Sequence, residues 1–146
     1  MTGGCQCGAV RYRVDGELAE IVICHCRMCQ KASGNYFQAF AAVAREKFSW
    51  TKGRPGAFRS SESVERDYCK DCGTPLTYRP LSSGDIWVTV GSFDDAATVQ
   101  PRRQYGIESQ IIDFRALAAL PATTTEQANP PERMSKLRSR QHPDHE

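Results

Sequence analysis

The sequence lacks several features that whole classes of protein require. None of its apolar runs approaches the roughly 20 residues that a membrane-spanning helix needs, so we expect no membrane span. Its first residues do not combine a basic patch with a following apolar stretch, so we expect no secretory signal and a cytoplasmic location. The formal net charge is only +2 over 146 residues, which gives no electrostatic reason to expect nucleic-acid binding.

Helical periodicity is also missing, because no segment of ten or more residues places apolar side chains at helical spacing. Short stretches rich in β-branched and aromatic residues alternate instead with turn signals. The predicted strands are 9–14, 21–23, 36–43, 48–51, 57–60, 64–68, 76–78 and 85–90, with further strand candidates at Tyr105, Ile107, Ile111 and Ile112. A short helix over 28–33, ended by Gly34, is the main helical expectation. The sequence therefore predicts a mainly β fold with few short helical turns.

The composition changes near residue 121. Residues 1–121 are enough for one domain with a single core. Residues 122–146 contain one methionine, one leucine and no aromatic residue, together with two adjacent prolines and many charges. Because such a segment cannot bury a core, we predict a mobile polar tail with at most one or two helical turns over 131–139.

Three of the seven cysteines lie within six residues, directly after the apolar run 21–23. At this spacing the thiolates of Cys24, Cys26 and Cys29 can converge on one soft metal ion at about 2.3 Å each. The alternative is that they are buried small hydrophobic residues, as free cysteines often are. That alternative gives no reason for three cysteines to cluster at ligand spacing, so we predict a metal site.

The other four cysteines form two pairs, Cys5 with Cys7 in a glycine-rich bend and Cys69 with Cys72 in a C-x-x-C turn followed by glycine. Two such pairs far apart in sequence make the closed four-thiolate site of structural zinc. The remaining three cysteines then leave one ligand position open, which is the feature that distinguishes catalytic from structural zinc. The sequence therefore predicts two zinc ions per chain.

A site of three thiolates favours particular chemistry. Three thiolates on a dication leave a charge near −1, so activation of water is less favoured than at a site built from neutral histidines. An incoming thiol suits such a site better, because binding lowers its pKa and keeps its sulfur nucleophilic toward a carbonyl carbon.

Several neighbouring residues have two interpretations. His25 stands between two cysteines, but an extended residue between two ligands on one side faces the other way, so a packed or exposed histidine is favoured over a ligand. Arg27, Lys31 and Arg54 are candidates for balancing the anionic site or binding substrate carboxylates, although an ordinary solvated surface explains them equally well. Trp50 and Trp87 are interpreted as core anchors rather than as a stacking platform.

The motifs around the cysteines resemble those of the glutathione-dependent formaldehyde-activating enzymes and their centromere-protein-V-like relatives. The resemblance covers about residues 3–120 and rests on GGCQCGAV from residue 3, CHCRMCQKASG from 24, WTKG from 50, YCKDCGTPL from 68 and VGSFD from 90. It implies a β-tent architecture, in which small antiparallel sheets are organised around zinc. It also implies a structural zinc ion on Cys5, Cys7, Cys69 and Cys72, and a functional zinc ion on the catalytic Cys24, Cys26 and Cys29.

The resemblance further implies a carbon–sulfur lyase that acts on a small thiol adduct, with glutathione and formaldehyde joined to S-(hydroxymethyl)glutathione as the namesake reaction. The sequence departs from the family pattern at Gln104, where many relatives have histidine, and after Glu108-Ser109-Gln110-Ile111, where Ile112-Asp113 replace Pro-Trp. The contrasting function is a non-enzymatic zinc module that binds a protein or another partner. The open three-cysteine site favours the enzyme, and a homo-oligomer is compatible with the sequence.

Overall fold

The computed structural model of the chain describes residues 1–142. In this range the strands are β1 Thr2–Gly4, β2 Arg11–Val14, β3 Glu20–Cys24, β4 Gln38–Ala44, β5 Phe48–Lys52, β6 Gly56–Ser61, β7 Val64–Tyr68, β8 Pro75–Pro80, β9 Asp85–Thr89 and β10 Arg103–Tyr105. The α-helices are α1 Arg27–Ser33, α2 Phe114–Ala118, α3 Thr125–Ala128 and α4 Pro131–Met134, and single 3₁₀ turns cover Arg45–Lys47, Val90–Ser92, Ala96–Thr98 and Ile107–Ser109. No helix in the described range is long and apolar enough to cross a membrane.

The strands form two sheets. A three-stranded sheet has the order β1-β2-β5, and a seven-stranded sheet has the order β10-β3-β4-β9-β8-β7-β6. The paired strands are antiparallel except β10 and β3, which run parallel and place Gln104 opposite Ile23. The mainly β, β-tent prediction is confirmed, although the larger sheet exceeds the expected small antiparallel sheets and contains this one parallel pair.

The two faces of the large sheet have different neighbours because side chains alternate along each strand. One face contributes Ala41 and Val43 of β4 to the main core, where Tyr12 of the small sheet is 1% exposed. Tyr12 lies 5.3 Å from Phe48 and 5.7 Å from Phe93, measured between ring centroids. The opposite face carries a second cluster, which consists of Val22, Phe40, Tyr78 and Trp87 together with Cys24, Cys26 and Cys29.

The predicted strands are all present, with ends that differ by up to two residues. The sequence missed β1, because Gly3 and Gly4 have low strand propensity. Glycine is nevertheless required at position 3, since a Cβ there would come within 2.4 Å of the Tyr12 side chain and of the Ser92 carbonyl oxygen. The strand predictions at Ile107, Ile111 and Ile112 were wrong, since residues 107–109 form a 3₁₀ turn and residues 110–113 lie outside regular structure.

The segment after residue 121 contains two short helices, α3 and α4, the second within the predicted 131–139 range. Near its end the His142 N–H donates a hydrogen bond to the Gln6 carbonyl oxygen at 2.9 Å. Residues 143–146, which belong to the predicted mobile tail, lie outside the described residues. The domain boundary at residue 121 and the mobility of the tail stay predictions, as does the cytoplasmic location.

Candidate functional site

The structure brings the four cysteines of the two predicted pairs together. Cys5 follows β1 and Cys69 follows β7, and the four sulfur atoms lie within 4.8 Å of one another. The Sγ atoms of Cys5 and Cys7 are 3.5 Å apart, and those of Cys7 and Cys69 are 3.8 Å apart. This group, the four-cysteine cluster, therefore joins the end of a strand in the small sheet to the end of a strand in the large one.

The two turns that carry the four-cysteine cluster have the same local design. The Gly8 N–H donates to the Cys5 carbonyl oxygen and the Gly73 N–H donates to the Cys69 carbonyl oxygen, each at 3.0 Å. Both glycines have positive φ, 73° and 76°, a conformation that strains other residues. The Thr74 hydroxyl ties the turns together by accepting a hydrogen bond from the Gln6 N–H at 3.0 Å.

The second group, the three-cysteine cluster, is built from one short segment. Cys24 ends β3, Cys26 is the N-cap of α1 and Cys29 lies inside α1, which ends at Gly34 with φ 62°. The three sulfur atoms lie within 4.8 Å of one another, and those of Cys24 and Cys26 are 3.4 Å apart. Cys24 and Cys29 are buried and Cys26 is partly exposed, so the cluster is reached from the side of Cys26.

The geometry of both clusters fits a tetrahedral metal ion with sulfur ligands. Zinc–sulfur bonds of about 2.3 Å in a tetrahedron place the sulfur atoms about 3.8 Å apart. The sulfur separations of 3.4 Å between Cys24 and Cys26, 3.5 Å between Cys5 and Cys7 and 3.8 Å between Cys7 and Cys69 are close to this value, so little adjustment is needed. All seven cysteines are free thiols, and each belongs to one of the two clusters.

Hydrogen bonds among the thiols spread their pKa values apart. The pKa of Cys29 is lowered to about 6, because Cys24 donates a hydrogen bond to its sulfur and the Arg66 guanidinium lies beside it. The pKa of Cys24 is raised correspondingly by its hydrogen bond to Cys29 and by burial. In the four-cysteine cluster, burial acts to raise the pKa of Cys72, but hydrogen bonds from Thr74 outweigh it and lower the value to about 6. Burial raises the pKa of Cys69 to about 12, so in each cluster one cysteine, Cys29 or Cys72, is favoured as the thiolate, the form that binds metal.

His25 is packed, which is one of the two placements, packed or exposed, that the sequence favoured over a ligand role. Its ring is fully buried, lies 5.6 Å from the Phe114 ring and 6.1 Å from the Phe37 ring, and its Nε2 forms a 2.9 Å hydrogen bond with Gln104 Oε1. The carbonyl oxygen of His25 also accepts a hydrogen bond from Gln30 Nε2 at 2.7 Å. His25 therefore connects β10, through Gln104, with α1, through Gln30, next to the three-cysteine cluster, and it is not one of the residues of that cluster.

A cavity of about 480 Å³ opens beside the three-cysteine cluster. Besides the three cysteines it is lined by Glu20, Val22, Met28, Phe40, Arg66, Tyr78, Pro80, Trp87, Arg103, Tyr105 and Glu108. The floor is the second face of the large sheet, where the strand register places Trp87 of β9 directly opposite Tyr78 of β8 and Tyr78 opposite Arg66 of β7. The cysteine sulfur atoms thus lie at the edge of a cavity with a mainly apolar floor.

Arg66 is a residue of this site that the sequence reasoning missed. It is 8% exposed, its guanidinium lies 4.9 Å from the centre of the Tyr78 ring, and its Nη2 donates to the Cys29 sulfur at 3.4 Å. Its Nε is buried and finds no hydrogen-bond partner among the described residues. The signal was available in strand 64–68, where Arg66 shares the face of Val64 and an alternating strand places both on one side.

The other residues with two interpretations lie away from the cavity or at its floor. Arg27 and Lys31 line a separate surface depression on the other side of α1, and Arg54 lies in the turn between β5 and β6. Trp50 packs against the main core, as predicted. Trp87 lines the cavity, so its interpretation as a core anchor was incomplete.

Comparison with known proteins identifies the family. The sequence model described as "Glutathione-dependent formaldehyde-activating enzyme" matches residues 1–109. A protein of Schizosaccharomyces pombe named as an uncharacterised lyase is 32% identical over 76 residues, which are 52% of this chain and 55% of that protein, so the match spans about half of the curated relative. The crystal structure of a Rhodobacter sphaeroides protein shares the fold with a TM-score of 0.59 at 19% identity, covering 71% of this chain and 99% of that one. The chain belongs to the family of glutathione-dependent formaldehyde-activating enzymes.

Proposed function

We propose that the protein is a zinc-dependent carbon–sulfur lyase that acts on the adduct of a small thiol and an aldehyde. One observation carries the proposal: three cysteine sulfur atoms converge beside a cavity, and no fourth histidine, cysteine or acidic side chain of residues 1–142 joins them. A structural zinc ion has four protein ligands, whereas three ligands leave a position for an exchangeable one. Membership of the family and the lyase name of the yeast relative support the same reaction class.

Each cluster would hold one zinc ion, which gives two ions per chain. The ion on Cys5, Cys7, Cys69 and Cys72 would be structural, and the ion on the catalytic Cys24, Cys26 and Cys29 would be functional. The functional ion, when bound, would supply a position at which the substrate thiol is held as a nucleophilic thiolate.

The residues of the chain supply charge compensation, orientation and shielding for a simple addition. The thiol sulfur forms a bond to the carbonyl carbon, the carbonyl π-bond breaks, and the S–H proton ends on the oxygen; the lyase direction reverses each change. Arg66 brings a buried positive charge beside Cys29, which offsets the negative charge of the thiolates. Stacking on Tyr78 holds the guanidinium in this place, and Phe40 with Trp87 keeps the floor of the cavity apolar.

The namesake substrates, glutathione and formaldehyde, are the first pair to test. Because the uncatalysed reaction is fast, the suitable measurement is the rate of exchange between free formaldehyde and S-(hydroxymethyl)glutathione, followed by NMR at the adduct methylene. The protein is expected to accelerate this exchange. Cys26→Ser and zinc-stripped protein are the controls and should not do so, and metal analysis of the untreated protein should give two zinc ions per chain.

The outcomes separate the alternatives. Acceleration by the intact protein alone supports the lyase function with these substrates. Saturable glutathione binding that Cys26→Ser abolishes, without acceleration, retains the thiol site and moves the reaction to another adduct. Absence of both contradicts the lyase function and favours a zinc module that binds a partner, while a zinc ratio close to one removes the second metal site.

A further inference from the structure

We propose that the cavity beside the three-cysteine cluster binds the carbonyl-derived half of the adduct, and that this half is an apolar group such as a phenyl ring rather than the single carbon of formaldehyde. The inference rests on the proposed function, because it assigns the thiol sulfur to the cluster and the group attached to that sulfur to the cavity. It goes beyond that function by naming the substrate class.

The shape of the cavity provides the first argument. Its floor contains Trp87 and Tyr78, which are paired across β9 and β8 of the large sheet. Phe40 also lines the cavity, and its ring centroid lies 5.8 Å from that of Tyr78, so three aromatic side chains border the space that a ligand would occupy.

The volume provides the second argument. A cavity of about 480 Å³ is in the range of pockets that enclose molecules much larger than formaldehyde, which has only two non-hydrogen atoms. A mainly apolar and aromatic lining is also typical of sites that bind an organic group by removing it from water.

The charges provide the third argument, because they disfavour glutathione itself as the occupant of the floor. Glutathione carries two carboxylates, and the described residues that line the cavity include two cations, Arg66 and Arg103. Both cations already have partners in the structure: Arg103 Nη1 lies 3.1 Å from Glu20 Oε1, and Arg66 donates a hydrogen bond to the Cys29 sulfur. Glu108 at the same cavity would repel a carboxylate. The polar ends of a peptide thiol are therefore better placed at the mouth, which leaves the floor to the other half of the adduct.

Stable thioethers test the inference without requiring chemistry. S-Methylglutathione and S-benzylglutathione differ only in the group that replaces the carbonyl-derived half, so the ratio of their dissociation constants measures the apolar contribution. For the zinc-loaded full chain we expect S-benzylglutathione to bind about tenfold to a hundredfold tighter, the range that follows from burying one aromatic side chain. Isothermal titration calorimetry gives both constants.

Variants of the two tryptophans locate the effect. Trp87→Leu removes an aromatic wall of the cavity and should reduce the ratio severalfold, whereas the matched change Trp50→Leu in the main core should leave it unchanged. Because the chain has two tryptophans, Trp50→Phe leaves Trp87 as the only one, and its fluorescence should change on addition of S-benzylglutathione. Trp50→Phe also replaces Trp50→Leu as the control if the leucine variant does not fold.

Equal affinity for the two thioethers, a ratio that Trp87→Leu leaves unchanged, or Trp87 fluorescence that does not respond would overturn the inference. Failure of the proposed function looks different. If formaldehyde exchange is accelerated but the two thioethers bind equally, the lyase function stands and the apolar substrate class is wrong. If S-benzylglutathione is preferred but neither formaldehyde nor benzaldehyde exchange with glutathione is accelerated, the cavity assignment stands and a lyase function on glutathione adducts of these two aldehydes is wrong.

Discussion

Replacement of one cysteine in each cluster by serine should have unequal consequences for stability. Cys72→Ser removes a proposed metal ligand from a cluster that joins segments 62 residues apart, as measured between Cys7 and Cys69. Cys26→Ser removes a proposed metal ligand from a cluster confined to residues 24–29. The substitution is chemically identical in the two variants, so each is a control for the other.

The magnitudes follow from where the clusters lie. Structural zinc sites contribute on the order of 10 kcal/mol to the folding of small zinc domains, which is comparable with the whole stability of an ordinary domain. The entropic cost of closing a loop of some 65 residues exceeds that of closing a loop of about 5 residues by about 2 kcal/mol, so the four-cysteine cluster depends more strongly on metal binding to stay closed. We therefore expect Cys72→Ser to be insoluble or to lack a cooperative thermal transition.

Cys26→Ser should remain folded for two reasons. The main core around Tyr12 does not include the three-cysteine cluster. In addition, Cys26 is the N-cap of α1, a position at which serine is among the preferred residues. Circular dichroism during heating, with metal analysis before and after, measures both variants. Equal loss of the thermal transition in the two variants would refute the division into a structural and a functional site.

Two further predictions concern the ion pairs. Asp67 is buried and accepts hydrogen bonds from Arg79 Nε at 2.6 Å and Nη2 at 3.0 Å, so Asp67→Ala should lower the free energy of unfolding by about 3 kcal/mol. Glu65→Ala removes the more exposed partner of Arg79 and should lower it by less than about 1 kcal/mol. Denaturant titration measures both variants, and equal losses would contradict this prediction. Burial acts to raise the pKa of Asp94, but hydrogen bonds from Arg11 and Thr2 outweigh it and hold the pKa below its usual range. The ionised carboxylate therefore contributes to stability above about pH 4, and this contribution is lost as the pH falls through the lowered pKa. Asp94→Asn should make the free energy of unfolding fall less steeply with decreasing pH, and an unchanged slope would show that Asp94 makes no such contribution.

The parts of the fold that the sequence predicted are those set by local pattern. Alternation of apolar and polar residues placed the strands, and the spacing within each cysteine group predicted which sulfur atoms meet inside one turn. The union of Cys5 and Cys7 with Cys69 and Cys72 needed the count of seven cysteines, because no local signal links segments so far apart. β1 was missed because the need for glycine at position 3 comes from Tyr12 and Ser92, both distant in sequence.

The cavity was less predictable because its residues come from separate strands. Arg66, Tyr78 and Trp87 are adjacent through strand register, which a single sequence does not reveal. The buried guanidinium depends on this register, since Tyr78 stacks on it and Cys29 accepts its hydrogen bond. The parallel pairing of β10 with β3 likewise brings Gln104 to His25 across 79 residues. Type of element is a local property, whereas the lining of this site is not.

The two faces of the large sheet separate the main core from the cavity. In β4, Ala41 and Val43 contribute to the main core, while Phe40 on the other face lines the cavity. In β9, Ile86 and Val88 are likewise core residues, and Trp87 between them belongs to the cavity. Because neighbouring positions on one strand face different environments, a substitution at Phe40 or Trp87 can change the space offered to a substrate while the main core keeps its packing. The cysteine clusters follow the same division, since one joins the two sheets and the other lies on the face turned away from the core.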